Sequence, residues 1–274
     1  FFMSLGVNAQ IDRSQQPKPG PAPIISLEKP QEFELKNGLK ILVVENHKLP
    51  RVSFNIAFDR DLVLEGEKAG VTALLGAMLA NGTTTIPKDD FNEEIDFLGA
   101  RLNIGFGGGS AGSITKYSNR MLELLADATM NPLLTEEEFQ KEKEKLIEGI
   151  KSDAKSVDAI AGRVGGALAY GKQHPYGEFV TEESVEAVTL ADVKTYFDTY
   201  FTPNNTYLVI IGDVNTKSIV KLVKTHFKKW EKAATTTTVI IEPNANPESL
   251  EIDFIDMPNA VQSNISLTSN VKLK

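Results

Sequence analysis

The hydrophobic pattern of this chain changes its period, and that change limits the folds that the chain can adopt. Phe33 and Leu35 alternate with charged residues, a tight-turn signal follows at Asn37-Gly38 and an apolar run at Leu39–Val44, which predicts a β-hairpin. Apolar residues at every second position of Val52–Phe58 predict a third strand. From Gly70 onward apolar residues recur at helical spacing. Strands and helices that are joined by short turns predict an α+β fold, with helices packed on one face of a mostly antiparallel sheet.

The remaining elements follow from the same two periods and from capping signals. We expect further helices at about 88–98, 119–130, 136–152, 159–170, 189–200 and 216–230, and further strands at 101–106, 113–117, 206–211, 250–255 and 262–267. The spacing Thr135-x-x-Glu138 resembles a capping box and predicts the start of the longest helix.

Proline and threonine content divides the chain into four predicted segments. Residues 1–30 combine an apolar start, typical of the end of a secretory signal peptide, with a proline-rich leader. Residues 31–232 form the main domain, 233–248 a linker, and 249–274 the start of a truncated second domain. The signal-peptide pattern predicts a periplasmic or secreted protein of the bacterial envelope, without a stable membrane span.

Composition excludes several function classes. A net charge of −8 without a basic block argues against a nucleic-acid partner. The absence of cysteine excludes disulfides, thiolate zinc sites and cysteine nucleophiles. The three histidines, His47, His174 and His226, lie in separate segments, so we expect surface or structural roles for them rather than metal binding.

Several segments, in order and at matching spacings, resemble the M16 (pitrilysin/insulinase) family of zinc peptidases. They are FELKNGLKILVVEN (33–46), GEKAGVTALLGAMLANGT (66–83), FLGARLNIGF (97–106), NPLLTEEEFQKEKEKLIEGI (131–150), HPYG (174–177) and YFTPNNTYLVIIGDV (200–214). The segment IDMPNAVQSNISL (255–267) is similar to the start of the family's second repeat. The resemblance implies the M16/LuxS-like metallohydrolase fold.

The residues that bind zinc in active members of this family are missing here. The resemblance implies a His-x-x-Glu-His motif, with two ligands and a general base, and a further Glu ligand on a later helix. The corresponding positions are Ala73, Gly76 and Ala77, with Gly149 at the distal ligand position, and Glu142 matches a second acidic residue that cannot make a site alone. Methyl groups and hydrogens neither coordinate zinc nor transfer protons. We therefore predict an inactive homologue with no catalytic residue, no metal and no cofactor.

The small residues on this helix leave two alternatives open. Ala73, Gly76, Ala77 and Ala80 share one helix face. Either neighbouring side chains fill the vacated space, or the strip lines an empty cavity that still receives a peptide. Glycine in mid-helix costs roughly 1 kcal/mol relative to alanine, which is consistent with another chain segment approaching Gly76 closely.

The glycine-rich segment 105–112 also has two interpretations. In active family members the corresponding strand offers its edge to substrate by β-augmentation. Because glycine weakens a strand, a mobile loop is the favoured interpretation. The alternative is a loop that contacts a peptide or a partner. Its candidate contact residues are Asn103, Gly105, Phe106, Gly107, Gly108 and Gly109.

The resemblance implies that M16 proteins work as pairs of similar halves, some joining a zinc-bearing subunit to one without zinc ligands. The first hypothesis is therefore a non-catalytic subunit that forms a heterodimer with a zinc-bearing M16 paralogue. The second is a self-sufficient scaffold or peptide-binding protein, and the third is an enzyme of another kind.

Overall fold

A computed structural model of the chain describes residues 20, 29–79, 81–232 and 241–271. Nearly all of the expected signal-peptide remnant and leader lies outside the described residues. The same holds for Ala80 and for residues 233–240 of the expected linker.

Six strands form one sheet in the order β1-β2-β6-β3-β5-β4. The strands are β1 (Gln31–Glu34), β2 (Lys40–Glu45), β3 (Arg51–Phe58), β4 (Arg101–Gly105), β5 (Gly108–Ile114) and β6 (Thr206–Gly212). Only β2 and β6 pair in parallel, and the other four pairings are antiparallel. The mostly antiparallel sheet is confirmed, as is the turn at Asn37-Gly38, where Gly38 has a φ of 87°.

Eight α-helices are present in the described part of the chain. They are α1 (Val71–Met78), α2 (Lys88–Phe97), α3 (Ser118–Met130), α4 (Glu136–Asp153), α5 (Val157–Tyr170), α6 (Glu182–Ala187), α7 (Leu190–Tyr200) and α8 (Thr216–Phe227). The Thr135 side chain caps α4 as expected, by accepting a hydrogen bond from the Glu138 amide. Helix α8 ends earlier than predicted, because Asn37 of the β1–β2 turn donates to the carbonyl oxygens of Phe227 and Trp230 at 2.9 and 3.0 Å.

Two hydrophobic clusters hold these elements together. In the first, one face of β2, β3 and β6 packs on α3 and α8, and fully burying each such side chain stabilises the fold by about 1.5–3 kcal/mol. The second cluster joins α1, α4, α6 and α7 to the sheet through Ile104 of β4. This second cluster fixes α1, the helix that carries Ala73, Gly76 and Ala77, beside the end of the sheet.

Three strand predictions are wrong. The strand expected at 113–117 begins earlier, at Gly108, and residues 115–117 form a 3₁₀ turn. The strands expected at 250–255 and 262–267 do not form within the described residues, since no neighbouring strand pairs with them there. Segment 241–271 instead contacts the end of α5, where Asn244 and Asn270 donate to the carbonyl oxygens of Leu168 and Ala169 at 3.1 and 2.5 Å.

His47 joins two loops at one end of the sheet. Its Nδ1 lies 2.7 Å from a carboxylate oxygen of Asp213, and its Nε2 lies 3.2 Å from one of Glu45. The hydrogen bond to Asp213, followed by that to Glu45, raises the pKa of His47 above its ordinary value. The structural role expected for this histidine is therefore that of a pH-dependent contact between β2 and the β6–α8 loop.

This contact predicts a pH-dependent contribution to the free energy of unfolding. Because the folded pKa is raised, the contribution is fully present below the ordinary histidine pKa of about 6.5 and is lost as pH rises through the raised value. His47→Gln should therefore lower the free energy of unfolding more at about pH 5.5 than at about pH 9, as measured by urea denaturation. His226→Gln is the control, since the His226 ring contacts Asn119 and no carboxylate. Equal losses for His47→Gln at both pH values would contradict this prediction.

Candidate functional site

Helix α1 presents its small residues outward. Leu74 and Leu75 on its inner side are fully buried, whereas Ala73 and Ala77 are exposed and Gly76 is partly exposed. The apolar residues therefore anchor the helix, and the small residues form an open surface strip. We define the strip as Ala73, Gly76 and Ala77.

Two carboxylates hold the start of α1 in place. The N-cap residue, Gly70, has a φ of 108° and no side chain, so Glu65 accepts from the Gly70 amide at 2.6 Å and from the Thr72 side chain instead. Glu178 in turn accepts from the amides of Glu65 and Gly66 at 3.1 and 2.5 Å. Burial raises the pKa of Glu178 despite these hydrogen bonds.

The strip faces the tip of the β4–β5 hairpin. A Cβ atom at Gly76 would lie 3.5 Å from the Phe106 amide nitrogen, which is an ordinary van der Waals separation. The expected close approach to Gly76 is thus present, although it does not require glycine. Among the described residues, strand β4 beside it is an edge strand that pairs with β5 alone, so alternate backbone N–H and C=O groups point away from the sheet.

Gly149 is also exposed, on the neighbouring helix α4. A Cβ atom there would meet nothing within 4 Å. Across the described residues, neighbouring side chains therefore leave both the strip and Gly149 open rather than filling the space beside them. Glu142 is mostly buried and forms an ion pair with Lys145 at 2.7 Å.

The residues at the vacated positions cannot hold zinc. They supply no nitrogen, oxygen or sulfur ligand from a side chain. Within the part of the chain that the structure describes, no group of three or more His, Asp or Glu side chains is placed to bind a metal ion.

The candidate contact residues come together as one hairpin, and most of residues 105–112 lie in β4 and β5, so the interpretation of this segment as a loop is wrong. The physical reason is close approach between strands. A Cβ atom at Gly108 would lie 2.5 Å from the Ile56 carbonyl oxygen, and one at Gly109 would lie 2.9 Å from the Asn103 carbonyl oxygen. Asn103 and Gly107 are exposed, whereas Phe106 is half-buried. Glycine here lets β5 fit between β3 and β4.

The sequence reasoning missed Arg60, which lies against the Phe106 ring. The centre of its guanidinium is 3.7 Å from the ring centroid, and its Nη1 donates to the Tyr200 carbonyl oxygen at 3.1 Å. Burial lowers the pKa of Arg60 to about 10, so the side chain stays charged at neutral pH. A single arginine after an apolar strand gives no sequence signal for such a contact.

The open glycines of the site predict a gain in stability. Alanine is about 1 kcal/mol more favourable than glycine inside a helix, and a Cβ atom at Gly76 or Gly149 clashes with nothing. Gly76→Ala and Gly149→Ala should each raise the free energy of unfolding by about 0.5–1 kcal/mol. Gly108→Ala is the control and should destabilise the fold, since its φ is 149° and its Cβ would clash with Ile56. Denaturant titration measures all three, and a loss at Gly76 would show that packing does require glycine there.

Comparison with known proteins gives two family matches. Residues 63–163 match the family described as "Insulinase (Peptidase family M16)", and residues 187–270 match "Peptidase M16 inactive domain". The first match includes α1, the β4–β5 hairpin and α4. The second includes β6 and α8.

Curated relatives carry names of zinc proteases and of subunits. An uncharacterized zinc protease of Rickettsia felis is 25% identical over 210 residues, covering 73% of this chain and 51% of that protein. The zinc protease PqqE of Helicobacter pylori is 24% identical, covering 79% and 51%. The mitochondrial-processing peptidase subunit beta of Rattus norvegicus is 24% identical, covering 79% and 45%. The chain thus spans about half the length of the curated relatives it matches.

Solved structures share the fold. A protease from Helicobacter pylori superposes with a TM-score of 0.69 at 22% identity, covering 81% of this chain and 55% of that one. A peptidase M16 inactive domain from Pseudomonas fluorescens gives 0.70 at 20% identity, covering 80% and 55%. In the described residues, no helix has the length and apolarity that crossing a membrane requires.

Proposed function

Because the chain belongs to the M16 peptidase family, we propose that it is a non-catalytic subunit that pairs with a zinc-bearing M16 peptidase and helps to form its substrate chamber. One observation carries the proposal. The positions that correspond to the zinc site hold only alanine and glycine, yet they remain an open surface beside a free strand edge. These positions have no side chain that could bind zinc or act as a general base, and the surface that a peptide would contact is exposed.

The free edge of β4 supports peptide binding without cleavage. An extended peptide adds to an exposed edge strand through main-chain hydrogen bonds, which need no particular side chain. Asn103 on this strand is exposed, and the strip lies at the end of the same hairpin. A peptide on β4 would therefore pass the vacated site with no group there to activate water.

The need for a partner follows from the missing ligands. If the protein takes part in proteolysis, zinc and the general base must come from another chain. The names of its relatives include zinc proteases and a subunit of a processing peptidase. We propose a heterodimer in the bacterial envelope, and the apolar start of the sequence supports this location.

A second candidate is a stand-alone protein of the envelope that binds peptides or serves as a scaffold. The observation that favours it is that the strip and the edge strand β4 both lie within one domain of this chain. Peptide binding by the isolated chain would then suffice for its function.

Affinity purification from the native host separates the two candidates. The expected result is a stoichiometric partner that contains His-x-x-Glu-His, identified by mass spectrometry, with zinc and peptidase activity present only in the complex. The matched control is the same complex after the partner's motif glutamate is replaced by glutamine, which should retain assembly and lose activity. A tagged protein that elutes alone and binds extended peptides would overturn the subunit proposal in favour of the second candidate.

Restoring the missing ligands tests whether the assigned positions form one site. We expect Ala73→His, Gly76→Glu, Ala77→His and Gly149→Glu together to create a zinc site. The spacing places the first three on one helix face, and Gly149 has free space around it. Isothermal titration with zinc should show one site per chain.

The control for this experiment is the triple variant that keeps Gly149. Loss of one ligand should weaken zinc binding by roughly tenfold or more. If the folded quadruple variant binds zinc no more tightly than the triple variant, Gly149 is not the distal ligand position.

A further inference from the structure

Arg60 carries a guanidinium whose hydrogen-bonding capacity is mostly unused. Within the described residues its one hydrogen bond runs from Nη1 to the Tyr200 carbonyl oxygen, and Nη2 is buried without a partner. No ion pair in the described part of the chain includes it. Arginine has five N–H donors, and buried donors in native proteins nearly always have acceptors. The buried Nη2 therefore lacks an acceptor that the surrounding residues do not supply.

Aromatic rings surround this group. The guanidinium centre lies 3.7 Å from the ring centroid of Phe106, 4.8 Å from that of Phe58, 5.6 Å from that of Tyr200 and 5.7 Å from that of Phe201. Ring faces attract a cation but accept no hydrogen bond along the edge of the guanidinium fork. We call these four rings the aromatic cage. The cage keeps water away from the cation and leaves its donors available to an anion.

Phe106 is the member of the cage whose neighbours in the chain least restrict its backbone. It sits at the tip of the β4–β5 hairpin between Gly105 and Gly107, and a Cβ atom at either glycine would meet nothing within 4 Å. Glycine on both sides permits backbone rotation that other residues resist. Phe58 and Phe106 both pack against the second hydrophobic cluster and Phe201 is buried in it, but of these three rings only that of Phe106 is carried by a hairpin tip. Rotation of the hairpin tip would uncover Arg60 and leave the rest of the cage in place.

We propose that Arg60 is a carboxylate-binding site and that Phe106 is its lid. A carboxylate matches the arginine fork because two parallel N–H groups bind its two oxygens, and Nη2 and Nε form the edge that the Tyr200 contact leaves free. Desolvation strengthens this contact, since a charge in a water-poor site interacts more strongly with an opposite charge.

The carboxylate comes from a peptide on the free edge of β4. The amide of Phe106 adjoins Gly76 of the strip, so the lid lies between Arg60 and the surface that the peptide would cross. Only this choice of source rests on the proposed function. The carboxylate site itself is a property of the chain alone.

Nuclear magnetic resonance of the arginine side-chain Nε–Hε groups tests the site directly. Sodium acetate, added against sodium chloride at equal ionic strength, should shift the Arg60 signal saturably, and chloride should not. The signal is assigned to Arg60 by its absence from the spectrum of Arg60→Met, and in that variant acetate should shift no remaining arginine signal saturably. Arg163→Met is the matched control, because Arg163 also stacks on one ring, that of Phe179, but is exposed, and its loss should leave binding unchanged.

Two further variants test the lid and guard against misfolding. Phe106→Ala should bind acetate several-fold more tightly, because no ring has to be displaced. Arg60→Lys keeps the charge but loses the fork, and should bind several-fold more weakly. The carboxylate proposal is overturned if acetate shifts Arg60 in neither the unaltered chain nor Phe106→Ala.

Three peptides of otherwise identical sequence identify the source of the carboxylate. One has a free C-terminus, one is amidated, and one is amidated with an internal glutamate. Saturable binding of the first alone assigns the site to a peptide C-terminus, and binding of the third assigns it to acidic side chains. Acetate binding without binding of any of the three peptides keeps the Arg60 site and overturns a peptide as its ligand.

Discussion

The insertion of β6 between β2 and β3 is the constraint on which the rest of this fold depends. The pairing of Lys40 with Tyr207 in parallel and of Phe54 with Ile210 antiparallel joins the two ends of the described domain in the centre of the sheet. Without β6, the β1–β2 hairpin would have no connection to β3, β5 and β4. Helices α3 and α8 would then lack the continuous apolar surface on which they pack. Pairing between strands far apart in the sequence costs loop-closure entropy before the stabilising contacts form. This order favours cooperative folding of the whole domain.

The way α1 is held explains how its outer face can carry alanine and glycine, where the family resemblance implies zinc ligands, without loss of the fold. The helix is fixed by buried Leu74 and Leu75 on one side and by the Glu65 carboxylate at its start, and none of these contacts involves the strip. Residues on the outer face therefore contribute chemistry and little packing. Replacing ligands with alanine removes no buried contact. A family scaffold and an absent metal site are thus physically compatible.

Most of the fold could be predicted from the sequence, because its main signals are local. The period-two strands, the turn at Asn37-Gly38 and the cap at Thr135 each specify their own backbone, and all are present. The glycine-rich strand β5 could not be predicted in this way. In the sequence, its glycines are typical of a loop. In the structure, Ile56 of β3 and Asn103 of β4 lie so close to them that a Cβ atom would not fit. The strand predicted at 250–255 is absent for the opposite reason. Its alternating pattern predicts a strand, but no strand pairs with it among the described residues.

The candidate site, too, could be predicted from the sequence only in part. The vacated positions were identified by their place in a motif, and their exposure required the structure. The Arg60 site could be identified only from the rings around the guanidinium and from the buried Nη2 without an acceptor. The rings come from residues far apart in the chain, so the sequence does not show them together. The cation that the structure places beside the β4–β5 hairpin is a guanidinium. A zinc ion binds a water molecule and lowers its pKa, whereas a guanidinium binds a carboxylate and activates no water. If Arg60 binds a carboxylate as proposed, this surface would hold a peptide and leave its backbone intact, which is what the proposed non-catalytic subunit requires.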